Sequence, residues 1–208
     1  HYFLRDAEYE KGLPFYSQRY FHGVSEALVA GEASTSYIYS DKAASRLAKA
    51  LPDVKIVAIL RDPVERAVSH YRWNVQNGLE NLCFPDAIEA ESERLQNPST
   101  TFEDESSPYS YIDRGRYCRQ LEAYERLMGR RRMHCMIFSS MVAQPTETLR
   151  ILTDFLGLPP LAGQVKLMRR NASRKHAPEA VRRGPLVDAL LEDINALEAF
   201  LGKDLSSW

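Results

Sequence analysis

Two short apolar runs interrupt a chain that is otherwise patterned at helical spacing. Lys55-Ile-Val-Ala-Ile-Leu-Arg61 and Met133-His-Cys-Met-Ile-Phe138 are apolar stretches bounded by polar or turn residues, the pattern of strands buried in a parallel sheet. Before the first run, Ser40-Asp41 precedes a predicted helix over Lys42 to Leu51, with Ala43, Ala44, Leu47, Ala50 and Leu51 on one face and Pro52 as its stop. After it, Pro63 to Asn77 places Val64, Ala67, Val68, Tyr71 and Val75 at helical spacing. Further helices are predicted over Arg116 to Met128, over Thr146 to Leu156 with Gly157 as C-terminal residue, and over Pro185 to Leu201 closed by Gly202. Leu205 and Trp208 are then expected to fold back on the core. Helices alternating with strands imply an α/β domain with a mainly parallel sheet.

Leu79 to Asp113 breaks this pattern. It is acidic and polar, and it contains Pro98-Ser99-Thr100-Thr101 and Ser106-Ser107-Pro108. It reads as an insertion (79–113) with one helix, Phe84 to Leu95, and a loop long enough to suggest either contact with a substrate or disorder.

Composition narrows the function. With 208 residues, 44% hydrophobic and 26% charged, the chain suits one globular domain over 1–208. No apolar run reaches the roughly 18 residues of a membrane span. A net charge of −1 argues against bulk nucleic-acid binding, which depends on many neutralised phosphates. The positive charge is local instead, at Arg114, Arg116 and Arg119, at Arg130 to Arg132, and at Arg169, Arg170, Arg174 and Lys175. Arg130 to Arg132 read as a solvated connection between helix and strand. Cys83, Cys118 and Cys135 are too scattered for a zinc or redox motif and read as buried reduced thiols.

The junction Leu60-Arg-Asp-Pro-Val-Glu-Arg-Ala-Val-Ser-His-Tyr71 carries the densest chemistry. Asp62 suits the N-cap and Pro63 the first helical position, and Glu65 stands where it would complete a capping box. The helix start, with unbonded amide groups and a positive dipole end, would follow the carboxyl end of a parallel strand, where open α/β sheets bind phosphorylated ligands. Arg61 adds a permanent charge there, and Ser69 lies two turns on, away from the apolar face together with Glu65, Arg66 and Arg72. On the residues alone, a strand-end Arg and a polar-face Ser are equally at home in a protein with no phosphate site.

Arg61-Asp-Pro-x-x-Arg-x-x-Ser-x-Tyr71 resembles the 3′-phosphate-binding motif of sulfotransferases that use 3′-phosphoadenosine 5′-phosphosulfate (PAPS), in the branch of the heparan sulfate N- and O-sulfotransferases and their bacterial relatives. Counterparts run along the chain in the same order: His1-Tyr-Phe with Tyr9-x-Lys-Gly-Leu-x-x-Tyr16, Gly31-Glu-Ala-Ser-Thr-Ser-Tyr37, Gly115-Arg-Tyr117, Phe155-Leu-Gly-Leu158 and Leu201-Gly-Lys-Asp-Leu205 with Trp208. The resemblance implies a P-loop-like central parallel sheet flanked by helices, with Arg61 and Ser69 on the 3′-phosphate of PAPS and Glu32 as the base that takes the acceptor proton. It places Arg174 and Lys175 in a basic loop over the cofactor phosphates and Tyr117 near the adenine. Outside the resemblance, Glu32 reads as an exposed loop carboxylate, Arg174 and Lys175 as a solvated basic loop, and Tyr117 as a core residue of an amphipathic helix. Two departures stand out: Ala33 where some relatives carry Lys, and Trp73 where the family often has His.

The family's loop for the 5′-phosphosulfate, rich in Gly, Ser and Thr with a Lys, has no counterpart here, nor does Gly-x-x-x-x-Gly-Lys-Ser/Thr. The first strand and this phosphosulfate loop are expected to be missing from an N-terminally incomplete chain. The implied function is transfer of a sulfuryl group from PAPS, with no metal, to a hydroxyl or amine of a small-molecule or glycan acceptor, and a bacterial cytoplasmic setting is the expectation, with the Golgi lumen as the alternative. A P-loop-type kinase and a non-catalytic nucleotide-binding module are the alternatives.

Overall fold

The computed structural model describes residues 1–24, 29–97, 107–160 and 183–208. Arg174 and Lys175 lie outside them. In chain order the elements are α1 (Asp6–Tyr9), α2 (Gly12–Tyr20), α3 (Asp41–Ala50), β1 (Ile56–Leu60), α4 (Pro63–Gln76), α5 (Phe84–Glu89), α6 (Glu91–Gln96), α7 (Tyr117–Met128), β2 (Met133–Ile137), α8 (Phe138–Ala143), α9 (Pro145–Leu156) and α10 (Arg183–Leu201). The two apolar runs are the strands. They pair side by side in one parallel sheet, as the α/β reading requires.

The chain divides into two compact units, His1–Ile59 with Glu122–Leu167, and Leu60–Leu121 with Met168–Trp208. The first holds the β1–β2 sheet, with α8 and α9 packed along β2. Its α3 starts as its sequence dictates: Ser40 Oγ accepts the Ala43 N–H at 3.1 Å, and Ala43, Ala44 and Leu47 are buried. Gly157, at φ 76°, ends α9, and the Leu158 N–H reaches back to the Thr153 carbonyl at 2.9 Å, a closure that needs the left-handed backbone glycine supplies. Phe138 was expected in the strand but opens α8, so β2 ends one residue early. Along β1, Val57 and Ile59 point to a side that is 37% and 52% exposed, whereas Ala58 and Leu60 are buried.

An aromatic cluster fills the N-terminal part of this unit. Tyr2, Phe3 and Leu4 are almost wholly buried, and the Tyr2 ring lies 4.7 Å from that of Tyr16. Arg46 on α3 pairs with Asp6, donates to the Phe3 carbonyl at 3.2 Å and covers the Tyr9 ring.

The second unit is organised on α4 and α10. Leu186, Leu190, Ile194 and Leu197 form the buried stripe of α10, each contributing about 1.5–3 kcal/mol by leaving water. On α4 the buried stripe is Val64, Ala67 and Asn74, with Tyr71 half-buried. Val75, expected inside, is 45% exposed. Asn74 takes the inward place because its amide has partners there, the Pro108 carbonyl at 2.7 Å and the Tyr111 hydroxyl at 2.8 Å.

The same network fixes the described parts of the 79–113 insertion. Tyr111 donates to Glu80 at 2.8 Å, and Arg94 pairs with the inaccessible Glu80 carboxylate at 2.6 Å. Glu91, also buried, accepts the Ile112 N–H at 2.7 Å and the Asp113 N–H at 2.8 Å. The single helix expected over Phe84 to Leu95 is instead two, α5 and α6, meeting at Ala90. The break turns Glu91 and Arg94 toward these partners. Of the cysteines, Cys118 is buried as expected, Cys135 is half-buried, and Cys83 is exposed, because it stands in the connection just before α5.

Candidate functional site

The strand-to-helix junction in the second unit begins with a cap. Asp62 Oδ1 accepts the N–H groups of Val64 and Glu65 at 2.9 and 3.2 Å, and its carbonyl accepts that of Arg66 at 2.9 Å. Pro63 has no N–H. The expectation of unbonded amide groups at this helix start is therefore corrected: Asp62 consumes them, and an anion here must be held by side chains. The second oxygen of Asp62 pairs with Arg183, at the start of α10.

Glu65 does not complete a capping box. Its carboxylate takes both Nε and Nη2 of Arg61, at 3.0 and 2.9 Å, in a pair whose side chains are 39% and 55% exposed. Arg61, Glu65 and Ser69 thus stand in a row at intervals of four, and Ser69 is half-buried. Arg66, expected on the same solvated face, instead donates to the Tyr111 carbonyl and secures the end of the insertion. His70, beneath it, is held near pKa 3 by burial and by the charges of Arg66 and Arg114, so it is neutral.

Tyr117 opens α7 and is buried, 6% exposed. Its hydroxyl is hydrogen-bonded to the Arg61 backbone, burial pushes its pKa up to about 12, and its ring meets Trp208 edge-on at 6.3 Å. The structure thus brings Tyr117 to Arg61, as a core residue behind the junction. The amino end of α7 is occupied: Asp193 of α10 accepts the Cys118 and Arg119 N–H groups at 3.1 and 3.4 Å. Gly115 explains itself by close approach, since a Cβ there would stand 3.1 Å from Pro63 Cβ and 3.3 Å from Leu190 Cδ2.

Glu32 belongs to the first unit. It sits in an exposed stretch, and its charge acts on the phenols of Tyr16 and Tyr37, both buried. Burial, and after it the charge of Glu32, push the Tyr16 phenol far above its ordinary range. For Tyr37, burial and Glu32 outweigh the opposing hydrogen bond from the Phe3 N–H. Both phenols are therefore protonated donors. These tyrosines close two of the family-like segments in the sequence, but no local periodicity announces that the charge of Glu32 acts on both. Among the described residues, no group of three or more His, Cys, Asp or Glu is arranged to hold a metal ion, and no helix is long and apolar enough to cross a membrane.

A family model described as sulfotransferase domain matches residues 8–179, a range that includes Glu32, Arg61, Ser69 and Tyr117. Mouse heparan sulfate glucosamine 3-O-sulfotransferase 3A1 is 31% identical over 153 residues, 74% of this chain and 37% of the relative. The bifunctional heparan sulfate N-deacetylase/N-sulfotransferase 1 of Caenorhabditis briggsae is 26% identical over 161 residues, 76% of this chain and 18% of the relative. The chain therefore spans well under half the length of these curated relatives. Among solved structures, a sulfotransferase from Alicyclobacillus acidocaldarius matches with a TM-score of 0.75 at 29% identity, over 93% of this chain and 72% of that one.

Proposed function

The chain belongs to the sulfotransferase family, and from that premise we propose that the protein transfers a sulfuryl group from PAPS to a hydroxyl or amine of an acceptor, a carbohydrate first of all. The observation that carries the donor half is the placement of Arg61 at the end of β1, paired with Glu65 on the first turn of α4, with the half-buried Ser69 one turn further along that helix. A guanidinium and a hydroxyl two turns apart suit a phosphate dianion: one offers charge and paired donors, the other a rotatable donor. Because Asp62 has taken the backbone amides, the phosphate would depend on these side chains more than on the helix end. Arg174 and Lys175 remain part of the proposal as further phosphate contacts, and Tyr117 as the residue that backs Arg61. The carbohydrate acceptor is supported by the names of the two curated relatives given above, both heparan sulfate enzymes.

PAPS supplies an activated sulfuryl group. The acceptor oxygen forms its bond to sulfur while the sulfur–oxygen bond to the nucleotide phosphate breaks, and adenosine 3′,5′-bisphosphate departs with the electron pair. The acceptor proton passes to Glu32, whose carboxylate is the base. Positioning and electrostatics carry most of such a rate.

Calorimetry with adenosine 3′,5′-bisphosphate against ATP tests the donor half. The bisphosphate is expected to bind in preference, and Arg61→Ala to weaken it about 10–100-fold through the loss of a charged hydrogen-bonding partner. A preference for ATP, or affinity unchanged in both Arg61→Ala and Ser69→Ala, overturns the reading.

A further inference from the structure

We propose that Arg72 is a second guanidinium for the phosphate placed at Ser69. The inference rests on the reading of Arg61 and Ser69 as the 3′-phosphate site, and it adds the charge which that site lacks. A phosphate monoester carries close to two negative charges near pH 7. Arg61 brings one positive charge, and Glu65, its ion-pair partner at 2.9 Å, cancels it. The Ser69 hydroxyl brings none. Arg61, Glu65 and Ser69 together therefore meet a dianion with no net positive charge.

Arg72 is placed to supply one. It is half-buried on α4 and follows Ser69 by three positions. Residues three apart are neighbours on a helix surface, about 5–6 Å between Cβ atoms. Helical side chains also lean toward the N-terminus, so a long side chain at 72 covers the turn that carries Ser69. Arg61 comes to that turn from the start of the helix, and Arg72 from the turn beyond.

The charge of Arg72 is uncommitted within the fold. In the same unit Arg94 pairs with Glu80 at 2.6 Å, Arg119 with Asp113 at 2.9 Å and Arg183 with Asp62, while Arg66 donates to the Tyr111 carbonyl. Among the described residues Arg72 has no ion pair, and its Nε is buried without a hydrogen-bond partner. Its neighbours three and four positions away on the helix, Val68, Ser69, Val75 and Gln76, are all neutral. Burying a guanidinium nitrogen with no acceptor is unfavourable, and an anion that neutralises the group offsets that cost. The buried Nε also means that the stem is packed against the protein. A stem already held loses less rotamer freedom when the phosphate arrives.

The test is calorimetry on the whole protein with two ligands, adenosine 3′,5′-bisphosphate and adenosine 5′-monophosphate, which lacks the 3′-phosphate. Arg72→Gln removes the charge and keeps most of the stem. It is expected to weaken the bisphosphate about tenfold, as loss of a charged hydrogen-bonding partner does, and to leave the monophosphate within about twofold of wild type. Arg72→Lys keeps the charge without the planar fork, and is expected to weaken the bisphosphate only about two- to fivefold, again with the monophosphate unchanged. This milder variant carries the test if Arg72→Gln does not fold. The phosphorus resonance of the bound 3′-phosphate is expected to move in both variants.

Equal losses for the two ligands assign Arg72 to the fold or to the rest of the nucleotide and overturn the proposal. Bisphosphate affinity unchanged in Arg72→Gln and Arg72→Lys, while Arg61→Ala and Ser69→Ala weaken it, overturns Arg72 alone and leaves the phosphate site standing. A raised KM for a heparan sulfate oligosaccharide with bisphosphate affinity unchanged gives Arg72 to the acceptor instead, and also overturns the proposal. If the wild type binds the bisphosphate no better than the monophosphate, the 3′-phosphate reading itself falls, and Arg72 with it.

Discussion

Arg61 gives its Nε and Nη2 hydrogens to one oxygen of Glu65, at 3.0 and 2.9 Å, so the residue proposed to hold the 3′-phosphate already holds a carboxylate. A phosphate arriving at Arg61 must compete with Glu65, and Ser69 stands one helical turn beyond on the same row.

Removing that competitor has opposite effects on binding and stability. Exposed pairs of this kind are worth about 0–1 kcal/mol, so Glu65→Gln is expected to tighten adenosine 3′,5′-bisphosphate binding by up to about fivefold. Glu65 also sits in the first turn of α4, where a negative charge favours the helix, so the same change is expected to cost about 0.5 kcal/mol of stability. Calorimetry and urea unfolding on one variant measure both. Weaker binding in Glu65→Gln would show that the carboxylate holds Arg61 ready rather than occupied.

Glu80 makes stability depend on acid. Burial alone would raise its pKa, but the hydrogen bonds from Arg94, the Leu82 N–H and Tyr111 outweigh burial and hold it below the ordinary range. A lowered carboxyl contributes stability above its unfolded pKa, about 4.3, and loses it as pH falls through the folded value. Arg94→Ala is expected to cost about 3–5 kcal/mol at neutral pH by stranding a buried charge. The stability gap between wild type and Glu80→Gln is expected to be largest near pH 7 and to close below about pH 4. Urea midpoints at several pH values decide this, and parallel curves would refute it.

Asp193 caps α7 from another helix. Asp193→Ala leaves the Cys118 and Arg119 N–H groups without their carboxylate and is expected to cost about 1–2 kcal/mol, measured by urea unfolding. Asp193→Asn, which keeps an acceptor oxygen, is expected to recover at least half of that loss.

Gly115 sets how closely Asp113 to Gly115 approaches α4 and α10. A methyl group there meets Pro63 Cβ and Leu190 Cδ2, so Gly115→Ala is expected to cost about 1–3 kcal/mol by overpacking. Because Pro63 is the first residue of α4, the same variant is expected to weaken adenosine 3′,5′-bisphosphate binding severalfold, while Gly184→Ala, with open space around it, leaves both unchanged. Thermal melts and calorimetry compare them.

The sequence by itself determined whatever depends on near neighbours. Ser40 and Asp62 are caps because their side chains reach amides two or three residues on, and Gly157 ends α9 because its own φ is positive. The two strands follow from short, mainly apolar runs, and the motif from Arg61 to Tyr71 lies within one strand end and one helix, so the secondary structure that carries it was legible.

Tertiary structure decided whatever depends on competition between distant groups. Arg66 had a place on the solvated face of α4, and it turns instead to the Tyr111 carbonyl, 45 positions away. Asn74 takes the inward place that the spacing gave to Val75 because its partners, Pro108 and Tyr111, lie more than 30 positions away, and only folding brings them into reach. Helical and strand periods report which side of an element is apolar, and they carry no information about which polar group from another element will meet it.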